Sequence, residues 1–153
     1  MQFMQEAINV GLEGMRNNLG GPFGCVIVKD DKIIGKGCNS VIASNDPTAH
    51  AEIVAIRDAC KNLNNFQLEG CEVYTSCEPC PMCLGAIYWA RPKVVYYANS
   101  RQDAANIGFD DSMIYEEMSM ELAKRKIPVI PLGRDDAMKI FEEWVNKSDK
   151  TLY

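Results

Sequence analysis

Two short stretches constrain this chain more than anything else in it: His50-Ala51-Glu52, and further along Pro79-Cys80-Pro81-Met82-Cys83. One histidine and a closely spaced cysteine pair supply three metal ligands of two chemical kinds. A structural zinc site is closed by four protein ligands, whereas a catalytic one keeps its fourth tetrahedral position for water. Whatever the fold, it must bring these two segments to one point. Cys80 and Cys83 are three apart and share a helix face. Pro79 and Pro81 suit only the first turn of a helix, so both thiols belong at a helix N-terminus, where the dipole favours the metal-binding thiolate. Asp46 reads as an N-cap and Pro47 as a first helical residue, which puts His50 within a first turn. His50 and Glu52 lie about 200° apart around a helix, so that helix must present its N-terminal end to the metal.

Rival readings stay open for these residues. His50 is the chain's only histidine, and a lone histidine is commonly an ordinary hydrogen-bonded residue. Glu52 alone would read as a solvated first-turn carboxylate. Cys77 extends the cysteine pair to a C-x2-C-x2-C run and is a further candidate ligand. A redox C-x-x-C pair is the rival for Cys80 and Cys83, but it explains neither His50 nor Glu52.

A chain of 153 residues can bury about 68–70% of its unfolded surface and reads as one domain over 1–153. No apolar run reaches the roughly 18 residues of a membrane span. The N-terminus lacks the basic and apolar zones of a signal peptide, so the expected location is cytoplasmic. The net charge of −5 weighs against a nucleic-acid partner, which calls for a basic face. Seven cysteines cannot all pair and are expected reduced, with Cys25, Cys38 and Cys60 as small core residues.

Apolar periodicity predicts a first helix over 2–17, ended by Gly20-Gly21-Pro22. Phe23–Lys29 and Ile33–Cys38 read as a β-hairpin turning at Asp30-Asp31-Lys32. A loop over 39–45 precedes a helix over 47–62. Then come a strand over 72–76, a helix over 80–90 stopped by Arg91-Pro92, and a strand over 93–98. Residues 102–112 read as irregular with a short helical piece. A helix over 113–125, an edge strand over 128–132 and a helix over 135–147 complete the pattern. This order predicts an α/β fold, three layers α/β/α around a mixed five-stranded sheet, with the ligand helices following strand C-termini.

The chemistry is then specific. Three protein ligands hold zinc so that it lowers the pKa of a bound water from about 15.7 toward 7. Attack on an amidine-like ring carbon needs a proton on the ring nitrogen, and departure of ammonia needs one on the amine. A single carboxylate, Glu52, can act as base and then as acid.

His50-Ala51-Glu52 followed by Pro79-Cys80-Pro81-Met82-Cys83 resembles the pattern of the zinc nucleobase and nucleoside deaminases, H-x-E…P-C-x-x-C. More narrowly, the chain resembles the bacterial guanine deaminase branch of the cytidine-deaminase fold. The resemblance is carried by Gly20-Gly21-Pro22-Phe23-Gly24, Asn45 through Glu52, Thr75 through Pro92 and Gly108-Phe109-Asp110-Asp111-Ser112. It implies one Zn2+ per subunit, held by His50, Cys80 and Cys83, with Glu52 catalytic. It further implies that Asn39 bonds the purine edge, Phe23 stacks on the ring and Trp89 walls the pocket. Asp111, or its neighbour Asp110, would bind the 2-amino side and help ammonia leave. The branch also implies a homodimer in which the tail, about 148–153, crosses to close the partner's site through Tyr153. The bland alternatives are a turn residue for Asn39, core packing for Phe23 and Trp89, and a helix cap for the aspartate pair. Guanosine deamination, tRNA adenosine deamination and a non-catalytic structural zinc module are the competing functions.

Overall fold

The structure, a computed structural model, describes residues 1–153. Two compact units make up the chain, Met1–Asp111 and Ser112–Tyr153.

The first unit runs α1 (Gln2–Arg16), β1 (Gly24–Lys29), β2 (Lys32–Cys38), α2 (Val41–Ser44), α3 (Ala51–Leu63), β3 (Glu72–Cys77), α4 (Pro81–Ala90), β4 (Val94–Asn99) and α5 (Arg101–Asn106). The strands form one sheet in the order β2-β1-β3-β4. β1 is antiparallel to both β2 and β3, and β3 is parallel to β4. The expected mixed sheet is therefore present, with four strands in place of five. Asp30 and Asp31 turn the hairpin with φ of 47° and 58°, the two positive angles that a two-residue turn between twisted strands requires.

β1 shows why helices cover both faces. Its run Cys25-Val26-Ile27-Val28 is buried throughout, and alternate side chains point opposite ways. Cys25 and Ile27 join Val73, Leu68 and the alanines Ala51, Ala55 and Ala59 of α3 in one cluster. Val26 and Val28 join Ala7 of α1, with Phe3 and Val10 packed around them. The three-layer α/β/α arrangement follows. α3 lies unusually close to the sheet because β2 offers it no side chain at Gly37, where a Cβ would stand 2.3 Å from the Ala51 carbonyl oxygen. That closeness fixes the start of α3, which carries Glu52.

The second unit comprises α6 (Ser112–Ser119), a 3₁₀ turn (Leu122–Lys124) and α7 (Arg134–Asn146). The helix expected over 113–125 stops at Ser119. The strand expected over 128–132 does not form: Pro128 and Pro131 remove two donors from a five-residue stretch, and Val129 bonds its amide to the Leu122 carbonyl instead. None of the unit's residues is buried. α7 begins at Gly133 in a left-handed conformation and has no side-chain cap.

Candidate active site

His50 is not inside its helix. It is the N-cap of α3, with extended backbone at φ −69° and ψ 157°. Pro47 does not open the helix as expected, because Asp46 closes a tighter local turn. Its carboxylate accepts from the Thr48 amide at 2.8 Å and the Thr48 hydroxyl at 2.7 Å, and that local alternative competes with helix. The result removes the difficulty of two residues on opposite helix faces: His50 is outside α3, while Glu52 occupies its first turn. α4 repeats the arrangement. Cys80 is its N-cap, with φ −64° and ψ 168°, Pro81 is its first residue, and Cys83 follows on the same turn. Two helices thus aim their N-termini, and the positive ends of their dipoles, at one place.

There the ligand atoms meet. His50 Nδ1 lies 3.5 Å from Cys80 Sγ and 3.5 Å from Cys83 Sγ, and the three form a compact metal-binding group. A tetrahedral zinc with Zn–N near 2.0 Å and Zn–S near 2.3 Å separates nitrogen from sulfur by about 3.5 Å, so the spacing is that of a zinc site. The charges agree. Hydrogen bonds from Cys83 and from His50 pull the Cys80 thiol down to about 4, while that same Cys80 partner and burial push Cys83 up. The Cys80 contact in turn holds the His50 imidazole above its usual range. Two thiols this close ionise together only with a cation between them. Cys77 is outside the group: it is buried, its thiol donates to the Ser100 carbonyl at 3.7 Å, and burial raises it to about 11.

Glu52 is 6% exposed, which excludes a solvated surface carboxylate. Burial raises its pKa, and a bond from Thr75 opposes the rise. The Thr75 hydroxyl donates to Glu52 Oε1 at 3.0 Å. Thr75 comes from β3, 1% exposed, and was invisible as a site residue in the sequence, because a threonine in a strand reads as sheet.

A second group forms beside β1 and β2. Asn39 is buried, and its Oδ1 accepts from the amides of Gly21 at 3.2 Å and Val41 at 3.3 Å. That leaves its amide nitrogen as the donor for a ligand. Gly20 permits this approach, since a Cβ there would stand 2.1 Å from Asn39 Oδ1. Phe23 packs edge-on against Phe109 with ring centroids 4.9 Å apart, and both rings crowd Gly21. Phe109 is a further lining residue; its signal was the Gly108–Ser112 stretch. Asp111 is half-buried, its pKa raised by burial and then by the charge of Cys80, whereas Asp110 is exposed. Trp89 sits six residues beyond Cys83 on α4, about 9 Å along the axis, and is 64% exposed. Tyr153 ends the second unit, also exposed.

The comparisons with known proteins agree with this chemistry. A family described as the cytidine and deoxycytidylate deaminase zinc-binding region matches residues 1–99. Guanine deaminase of Bacillus subtilis (strain 168) is 53% identical over 151 residues, spanning 99% of this chain and 97% of its own. The X-ray structure of guanine deaminase from Bacillus subtilis matches with a TM-score of 0.97 over 99% of this chain and 97% of that one. A tRNA-specific adenosine deaminase of Buchnera aphidicola is 39% identical over 124 residues, 80% of this chain and 79% of its own. With its three zinc ligands and its glutamate in place, the chain belongs to the cytidine and deoxycytidylate deaminase zinc-binding family.

Proposed function

We propose that this protein hydrolyses guanine to xanthine and ammonia. The observation that carries the reaction is the buried Glu52 carboxylate beside the His50–Cys80–Cys83 group. The substrate rests on 53% identity to a guanine deaminase across 99% of the chain. His50, Cys80 and Cys83 would hold the zinc, which when bound would make a water acidic enough to attack near neutral pH. Glu52 takes one proton from the attacking water and delivers it to the ring nitrogen next to the attacked carbon, then takes the second proton from the newly added hydroxyl and gives it to the departing amine, which leaves as ammonia. Burial raises its affinity for a proton above that of an ordinary surface carboxylate, which suits a group that must accept one from water.

The other site residues bind and orient. The Asn39 amide nitrogen faces an acceptor on the purine edge. Phe23, with Phe109 behind it, offers an aromatic face. Asp111, and not the exposed Asp110, meets the 2-amino side. Trp89, on the ligand helix, is read as a wall of the pocket, and Tyr153 as a lid across a homodimer, in which the tail of about 148–153 closes the partner's pocket and residues 1–153 act as one deaminase domain. Support comes from the second unit, whose Leu132 is 97% and Phe141 66% exposed, apolar area that a second copy would cover. The free cysteines suit a reducing compartment such as the cytoplasm. No helix is long and apolar enough to cross a membrane.

The tRNA adenosine deaminase reading is favoured by the Buchnera relative, but the net charge of −5 offers little to a polyanion. Ammonia release by the zinc-loaded protein from guanine, guanosine, adenine, cytosine and cytidine tests the proposal. Turnover of guanine is expected. Release from none of the five, with inosine formation in tRNA, would replace guanine by an RNA adenosine.

A further inference from the structure

Glu52 must do its work with a carboxylate that points one way. A glutamate has three rotatable bonds, and a buried one can swing between the metal group and the sheet beneath it. At the first turn of α3 its carboxyl meets its own backbone amide and, across the site, the Cys83 thiol, neither of which ties it to the sheet. β3 supplies what is missing. Thr75 lies in the middle of the sheet, paired with Cys25 of β1 on one side and Tyr97 of β4 on the other, so its backbone has little freedom. Its side chain stands on the face that carries Cys25 and Val73, the face covered by α3. Its hydroxyl donates to Oε1 of Glu52 at 3.0 Å, within the interior.

We infer that Thr75 is a positioning residue for the proton shuttle: its hydroxyl anchors Oε1 of Glu52 to the sheet, leaving Oε2 as the oxygen that exchanges protons with water and substrate. This inference rests on the proposed role of Glu52 and adds to it the group that aims it. The β-branched threonine suits the job because its χ1 is stiff, and the strand holding it is paired on both edges. Serine would keep the bond with a looser side chain. Valine would keep the shape and lose the bond.

The test compares wild type, Thr75→Val and Thr75→Ser, each checked for zinc content and thermal midpoint. Thr75→Val should bind zinc as wild type does, keep KM for guanine within about twofold, and lose roughly 10- to 100-fold in kcat, the scale of a small misplacement at a reacting centre. Thr75→Ser should recover most of that kcat. A difference infrared spectrum against Glu52→Gln isolates the Glu52 carboxyl band. That band should shift in Thr75→Val and return in Thr75→Ser, whatever the substrate proves to be. An unchanged kcat and an unshifted band in folded, zinc-loaded Thr75→Val would overturn the inference. A wild type that leaves guanine untouched would overturn the proposed substrate instead, and the infrared comparison would still decide the role of Thr75.

Discussion

Met1–Asp111 and Ser112–Tyr153 handle their apolar residues in opposite ways. The first unit buries Val26, Ile27, Leu68 and Val73 completely, and its alanines and glycines bring α3 hard against β2. The second has α7, with Ile140, Phe141, Trp144 and Val145 close together in sequence and every one exposed. Its helix starts differ too. α5 of the first unit opens with a full capping box between Ser100 and Asp103, while α7 opens on Gly133 with no side-chain cap. The first unit holds together through its own residues. The second leaves its large apolar side chains exposed, and a helix without a core of its own gains most of its stability from what it packs on.

Substitutions in the two units should have different consequences. The largest effect belongs to the metal group: Cys83→Ser should lose zinc and all measurable turnover, read by metal analysis and ammonia release. Ile27→Ala, in the first unit's core, should cost about 2–5 kcal/mol in denaturant unfolding. Phe141→Asp should do the reverse. It should leave the first unit's unfolding within about 0.5 kcal/mol and, on the proposed homodimer, shift sedimentation toward monomer; a core-sized loss of stability there would erase the distinction. A smaller loss than in the core is expected at the α5 cap, where Ser100→Ala should cost about 1 kcal/mol.

That last variant also carries a pH signature. Hydrogen bonds from Ser100 hold the Asp103 carboxyl below its ordinary 3.8. A depressed folded pKa contributes stability that is present above 3.8 and lost as pH falls through the lower folded value. The gap between wild type and Ser100→Ala should therefore be full at neutral pH and narrow in acid, as thermal midpoints at pH 7 and pH 3 would show.

The same contrast marks how far the sequence could be read. In the first unit, strand and helix patterns reflect burial within the chain, so β1 to β4, α1, α3 and α4 fall close to where periodicity puts them. Local polar chemistry was harder to see. Asp46-Pro47 has the composition of a helix start but bonds Thr48 and delays α3 to Ala51, and α2 is too short at four residues for any period to show. In the second unit the pattern Pro128-Val129-Ile130-Pro131-Leu132 is apolar enough for a strand, yet no strand forms and Val129 bonds the Leu122 carbonyl instead. The metal ligands and Glu52 were legible because zinc chemistry dictates residue type and spacing. The Thr75 bond to Glu52 and the Gly20 approach to Asn39 were not, because each acts through a neighbour distant in sequence.

The most direct test of the account is to measure zinc content and guanine turnover side by side in Glu52→Gln. Close to one zinc per subunit is expected, as in wild type, with kcat lowered by about 10²- to 10⁴-fold, the usual contribution of a positioned acid–base group. Loss of zinc along with activity would make Glu52 a ligand and remove the proton carrier on which the proposed reaction depends.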